Sequence, residues 1–325
     1  MFLNLVALVV GLVVLVVAAD KFITGTVTIA KKFGVSPLLI GLTIVGLGTS
    51  APEILVSAIA SWQGNAGLAV GNALGSNIAN IGLILGFTAL VSPLAFNSTL
   101  LKRELPILMA VSLICYFMVF DGLGEVDGIL MLLMLVTFLV WLVRSAKKDS
   151  RKIELNDALE EGVIAEIPED VSEGKAWLFF VLGLIGLLAS SRLLVWAAVN
   201  IAVSFGVSDL VIGLTIVALG TSLPELAASI TSVLKKEDDL AVGNIIGSNM
   251  YNLLAVYSLP GLIAPGPVAE SVVSRDFPVL LALTAVLFIL GYGLRKSGHI
   301  NRLEGAGLLL AYFVYQWVVY QSAIA

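Results

Sequence analysis

Apolar residues run along this chain in blocks of about 20, each long enough to cross a hydrocarbon core of about 30 Å. Short polar clusters separate them. The pattern predicts ten helical spans, over roughly 2–30, 36–62, 66–91, 104–120, 126–144, 176–204, 208–234, 240–263, 276–294 and 303–322. The expected fold class is therefore an all-α membrane protein. The first 19 residues lack a basic leader and a small-residue cleavage site, and the helix runs past Asp20 and Lys21, so they read as a retained span.

The loops between spans carry an orientation signal. Of the 18 Lys and Arg, 15 fall in alternate loops: Lys31 and Lys32; Lys102 and Arg103; Arg144, Lys147, Lys148, Arg151, Lys152 and Lys175; Lys235 and Lys236; Arg295, Lys296 and Arg302. The opposite loops hold Arg275 alone, while Lys21 and Arg192 lie inside spans and are expected to snorkel. Both termini are expected to be extracytoplasmic. The longest polar segment, 145–175, is then an acidic cytoplasmic linker carrying Glu154, Asp157, Glu160, Glu161, Glu166, Glu169, Asp170 and Glu173. It is solvated by composition, with weak cation binding as the sharper reading, and it is too short for a folded domain of ordinary size.

Composition agrees with a membrane protein: 59% hydrophobic, 13% charged, and a mean hydropathy of +1.04. A soluble domain carries about a quarter charged residues. The net charge of −5, with basic residues confined to short loops, gives no stripe for nucleic acid. Cys115 lies in an apolar run and reads as a core residue, and His299 reads as a solvated loop residue.

The chain also repeats itself. Residues 36–53, SPLLIGLTIVGLGTSAPE, match 208–225, SDLVIGLTIVALGTSLPE, at 14 of 18 positions. Residues 69–80, AVGNALGSNIAN, match 241–252, AVGNIIGSNMYN, at eight of 12. Both matches share an offset of 172 residues, which spans five helices. An odd number makes the second copy enter the membrane from the other side. Residues 1–144 and 176–325 are thus expected to be two five-helix repeats of inverted topology that meet near the midplane, where broken helices mark a substrate site.

Thr49-Ser50-Ala51-Pro52-Glu53 and Thr221-Ser222-Leu223-Pro224-Glu225 supply such breaks. Proline disrupts a helix interior but suits the first turn of a new helix. Ser-x-x-Glu also matches a capping box, so the bland reading is a kink capped by Ser50 and Glu53, and by Ser222 and Glu225. A cap alone leaves a glutamate at mid-membrane at a cost of several kcal/mol, and two of them repel. A bound cation relieves both penalties. The breaks free carbonyls near Gly46 to Thr49 and Ala218 to Thr221. With Glu53, Glu225, Thr49, Thr221, Ser76, Ser248, Asn80 and Asn252 they make an all-oxygen ligand set. That set suits calcium at about 2.3–2.6 Å, and no thiolate or imidazole is at hand for zinc or copper. Two carboxylates match one divalent ion or two or more sodium ions. Gly75 and Gly247 are expected to break the third and eighth spans, Asn77 and Asn249 to cap the freed backbone, and Gly71, Gly86 and Gly213 to serve packing.

The paired GTSxPE and GSNxxN motifs closely resemble the alpha-repeats of the calcium/cation antiporter superfamily, the sodium/calcium exchangers, and the prokaryotic inner-membrane branch fits best. The resemblance covers essentially the whole chain. It implies ten helices, two broken pairs forming an ion core, and long first and sixth helices sliding across it. It implies that Glu53 and Glu225 share calcium. It further implies an outer sodium site of Glu53, Ser76, Thr221 and the Ala218 carbonyl, and an inner one of Glu225, Ser248, Thr49 and the Gly46 carbonyl. Asn80 and Asn252 would flank the centre. Several exchangers of this family have aspartate where Asn252 stands, so a third acid is missing here. The large regulatory loop of animal exchangers is missing too.

The implied function is secondary antiport of calcium against sodium, with inorganic cations and the bilayer as partners and no resident cofactor. A calcium/proton antiporter on the same fold would need Glu53 or Glu225 to carry protons. An intramembrane enzyme would need paired acids in a different arrangement, since Asp20 is the one aspartate within a span away from its first residues. No HExxH or Walker sequence appears, which speaks against ATP-driven pumping. A cation channel is the remaining alternative, and saturable counterflow would separate it from an antiporter.

Overall fold

Proline and an amide-rich motif set where the helices of this chain depart from regular geometry. The computed structural model describes residues 2–33, 35, 37–95, 101–156, 171–205, 218–292 and 298–324, nearly all helical. Helix α1 (Phe2–Lys32) comes first. Three short pieces follow: α2 (Pro37–Ile40), a π-helical turn at Gly41–Val45, and α3 (Gly46–Thr49). They pass through Ser50 into α4 (Ala51–Trp62), with a bend of 49° at that break. Next, α5 (Ala66–Ala79), a π turn at Asn80–Leu85 and α6 (Gly86–Val91) form one stretch, Ala66–Val91. Helices α7 (Leu101–Met118), α8 (Glu125–Asn156) and α9 (Glu173–Ser204) follow. Residues 206–217, the start of the expected seventh span, lie outside the described residues.

Helices α10 (Ala218–Thr221) and α11 (Leu223–Leu234) flank Ser222, as α3 and α4 flank Ser50. Then come α12 (Asp238–Tyr251), a π turn at Asn252–Val256, α13 (Ser258–Ile263), a π turn at Val272–Asp276, α14 (Phe277–Tyr292) and α15 (Arg302–Ile324). Among the described residues six helices are long and apolar enough to cross a membrane, or seven with the bent pair counted as one. Outside the spans, β1 (Leu94–Ala95) pairs antiparallel with β2 (His299–Ile300), and the Ala95 amide donates to Asp238 Oδ2 at 3.0 Å.

The third and eighth stretches do not break at Gly75 and Gly247. Helices α5 and α12 run intact through both residues, and the irregular turns start five residues later, at Asn80 and Asn252. A glycine inside a helix keeps its backbone hydrogen bonds, and it admits a neighbour's backbone where a Cβ would stand. Gly247 does this for α2 and its π turn: a Cβ there would lie 2.6 Å from the Leu42 carbonyl oxygen. Gly41 and Gly46 return the approach, meeting the Leu240 oxygen at 2.7 Å and the Ser248 nitrogen at 3.1 Å. The strand of helix ending at Thr49 is thereby pressed against α12. Gly86 packs similarly on α15, where a Cβ would meet the Gly305 oxygen at 2.9 Å.

Helices α1 and α9 pack along their lengths through the same device. A Cβ on Gly25 would sit 2.5 Å from the Phe180 nitrogen, and one on Gly183 2.5 Å from that of Phe22. Their outer faces are bare valine and leucine, such as Val9, Val13, Leu178 and Leu182. The polar residues are inside instead: Glu53, Asn77, Asn80, Glu225, Asn244, Asn249 and Asn252 are all buried. Apolar perimeter around a polar interior is the arrangement that lipid solvation favours. Cys115 is buried as expected. Lys21 lies beside Asp20 at 3.4 Å and over the Phe179 ring, and Lys235 pairs with the same Asp20 at 2.7 Å. Helix α8 continues to Asn156 and α9 starts at Glu173, so both ends of the 145–175 segment are helical; residues 157–170 of it lie outside the described residues.

Candidate functional site

Each glutamate follows a proline in the first turn of its half-helix. Pro52 and Glu53 open α4 behind Ser50, and Pro224 and Glu225 open α11 behind Ser222. The capping box does not form. Neither serine side chain caps its own helix. Ser50 Oγ donates instead to Glu225 Oε1 at 3.4 Å, and Ser222 Oγ donates to Glu53 Oε1, also at 3.4 Å. At Ser50 the 49° bend accompanies this exchange of partners. The exchange extends to the threonines, since Thr221 is in hydrogen-bonding reach of Glu53 and Thr49 of Glu225.

Helices α5 and α12 form the other walls. Ser76 and Asn80 are one turn apart on the first, and Ser248 and Asn252 on the second, all of them buried. Thr49 Oγ1 lies 3.4 Å from Ser248 Oγ, 3.2 Å from Asn244 Oδ1 and 3.4 Å from the Gly46 carbonyl oxygen. Ser248 Oγ also reaches that Gly46 oxygen, at 3.5 Å. Thr49, Ser248, Gly46 and Glu225, four of the expected ligands, are therefore gathered in one place. Glu53 is brought to Thr221 in the same way; Ala218 opens α10 one turn ahead of that threonine. Asn80 Nδ2 donates to Asn249 Oδ1 at 3.0 Å.

Asn77 and Asn249 do not cap the backbone. Asn249 meets Asn80 side chain to side chain, and both polar atoms of Asn77 lack a partner among the described residues. The helix ends they were expected to cap do not exist, because α5 and α12 run on into π turns and leave no orphan amides there. Sequence reasoning passed over Asn72 and Asn244. Asn72 Nδ2 donates to the Glu53 carbonyl oxygen at 3.1 Å and Asn244 Nδ2 to that of Glu225 at 3.5 Å. The signal was available, for both stand at a matched position of the repeated AVGN.

The electrostatics are unbalanced without a guest. Glu53 and Glu225 are each 1% exposed and close enough to repel one another. Among the described residues, Oε2 of each has no partner, nor do Asn80 Oδ1 or either polar atom of Asn252. Buried polar groups are normally paired, and buried charge without a counter-charge is costlier still. Among the described residues no third Asp, Glu, His or Cys completes a cluster of such groups. The remaining ligands are hydroxyl, amide and carbonyl oxygens. Such oxygens suit hard cations such as sodium and calcium.

Comparison with known proteins agrees. The family described as sodium/calcium exchanger protein matches residues 3–144 and 175–321. The chain is 41% identical to the inner membrane protein YrbG of Escherichia coli, over 98% of this chain and 96% of YrbG. It is 32% identical to the sodium/calcium exchanger MaX1 of Methanosarcina acetivorans, over 98% of each. A solved structure of the sodium-calcium exchanger NCX_Mj, soaked with Na+ and Ca2+, superposes with a TM-score of 0.82 at 31% identity, covering 97% of each chain. Two proline-broken helices, two buried glutamates that exchange serine partners, and this likeness over nearly the full length agree: the chain belongs to the sodium/calcium exchanger protein family and is a membrane-embedded cation antiporter, not an enzyme.

Proposed function

We propose that this protein exchanges calcium for sodium by alternating access at a site centred on Glu53 and Glu225. The carrying observation is the reciprocal serine contact. It holds Oε1 of each glutamate and leaves the two Oε2 atoms buried without partners among the described residues. A calcium ion between them would balance both charges, and sodium ions held by Glu53 with Ser76 and Thr221, and by Glu225 with Ser248 and Thr49, would balance the same charges separately. Carbonyls of Ala218 and Gly46 and the amides of Asn80 and Asn252 would complete the shells. Sodium as the counter-ion is supported by relatives named sodium/calcium exchangers.

In this reading the chain crosses the inner membrane ten times. Residues 1–144 and 176–325 form oppositely oriented five-helix units, both termini lie outside the cytoplasm, and the 145–175 linker lies inside. Hydrogen bonds that recur at the 172-residue offset support it: Ser50 and Ser222 with the opposite glutamates, Asn72 and Asn244 with the glutamate carbonyls. Purified protein in buffered vesicles without a proton gradient tests the exchange. An imposed sodium gradient is expected to drive calcium uptake. Uptake driven by a proton gradient and indifferent to sodium would establish the calcium/proton alternative instead.

A further inference from the structure

Helices α5 and α12 each carry an asparagine one turn ahead of a site serine: Asn72 before Ser76, and Asn244 before Ser248. Residues four apart share a helix face. Asn72 Nδ2 donates to the Glu53 carbonyl oxygen at 3.1 Å and to Ser57 Oγ at 2.9 Å, and Ser57 Oγ donates on to the Ala69 carbonyl at 3.3 Å. Asn244 Nδ2 reaches the Glu225 carbonyl oxygen at 3.5 Å and Ser229 Oγ at 3.2 Å. Its Oδ1 lies 3.2 Å from Thr49 Oγ1, whose single proton is also within reach of the Val45 carbonyl oxygen at 3.1 Å.

The carbonyl of a residue inside a helix already accepts from the amide four residues on, so a second donor is not needed to hold the half-helix together. What the second donor does is tie the glutamate's backbone to the helix that supplies the serine. We infer that Asn72 and Asn244 are positioning residues: Asn72 sets Glu53 against Ser76, Asn244 sets Glu225 against Ser248 and Thr49, and the two asparagines thereby tune opposite ends of the ion site separately. The inference rests on the exchanger reading above, which places those pairs at the outer and inner ends. Cation shells tolerate little slack, and loss of a residue that orients a ligand costs about 10- to 100-fold in affinity at metal sites.

Asn72→Leu and Asn244→Leu keep the branched side-chain outline at a larger volume and remove every hydrogen bond the two amides make. Sodium-dependent calcium flux through the full chain, reconstituted in one orientation, is measured with sodium varied at one face at a time. Asn72→Leu is expected to raise the half-saturating sodium concentration at the extracytoplasmic face about 10-fold and to change it little at the cytoplasmic face. Asn244→Leu is expected to do the reverse, with maximal rates affected less in both. Equal shifts at both faces, or a fall in maximal rate with neither half-saturation moved, would reduce the asparagines to ordinary glue between helices and overturn the assignment. Ser57→Ala and Ser229→Ala, which remove one anchor with almost no volume change, must show the same selectivity in weaker form even if a leucine variant does not fold; equal shifts there overturn it as well. Glu53→Gln run in parallel separates the two failures. Normal flux in that variant refutes the exchanger site itself, whereas a dead Glu53→Gln beside asparagine variants without selectivity refutes only the positioning role.

Discussion

The Ser50 hydroxyl donates to Oε1 of Glu225, 175 residues away, and not to the helix that Ser50 begins. Ser222 and Glu53 repeat the relation from the other side. Each broken helix thus completes the other's acid, and neither half of the chain holds a finished site. Such mutual dependence suits an antiporter, in which both halves must sense whether the cation is present.

Removing one charge should abolish transport without unfolding the protein. Glu53→Gln and Glu225→Gln each leave one buried carboxylate to face a divalent ion alone. Breaking a buried charge pair costs about 3–5 kcal/mol, a loss of about a hundredfold or more in binding. Calcium uptake in vesicles is expected at background level, with membrane insertion and elution profile unchanged. Near-normal uptake by either variant would remove that residue from the site.

The proposed orientation rests on the loop charges, 15 basic residues against one. A reporter fused after the last residue is expected to be active only outside the cytoplasm, and one inserted in the 157–170 segment only inside it. A cytoplasmic signal from the C-terminal fusion would contradict the orientation and the inverted relation of the halves with it.

Asn252→Asp is expected to alter coupling to the monovalent ion more than calcium binding. Asn252 is fully buried and neither of its polar atoms has a partner among the described residues, so in the proposed site an acid there would be a third carboxylate with no counter-charge of its own. It would have to take a proton or a further cation. Calcium uptake measured at roughly physiological ionic strength, across about pH 6 to 8 and across a sodium series, should become more dependent on one of the two. Superimposable curves for parent and variant in both series would place Asn252 outside the site.

The α1–α9 seam should be intolerant of added bulk. In Gly183→Val the new Cβ would fall 2.5 Å from the Phe22 nitrogen and 2.6 Å from its Cα, and backbone cannot yield as a side chain tip does. Overpacking of this kind costs about 1–3 kcal/mol, with clashes against backbone at the upper end. The thermal midpoint in detergent is expected to drop sharply for Gly183→Val and hardly at all for Gly307→Val, where a Cβ meets nothing within 4 Å. Equal midpoints would show that the two long helices are not held by this contact.

Much of this protein is legible in one dimension because lipid imposes simple rules. Block length gives apolar spans, six or seven of which stand as helices among the described residues, and a proline before a glutamate gives the break found at Ser50, where the axis turns 49°. The self-match at 172 residues singled out Glu53, Glu225, Thr49 and Ser248 before any geometry. Local pattern went astray wherever a residue's partner lies far along the chain. Ser50 and Glu53 spell a capping box, yet Ser50 turns to Glu225; Gly75 and Gly247 read as breaks, yet the helices run through them and bend their hydrogen bonding at Asn80 and Asn252. Asn72 and Asn244 carried no local signal of the glutamates they hold. A cap or a break is decided within one turn of helix by backbone sterics and nearby donors, so sequence reports it only as an option. Which option is taken depends on the competing partner that tertiary packing brings within about 3.5 Å, and in a water-free interior an unsatisfied hydroxyl or amide takes whichever partner that is.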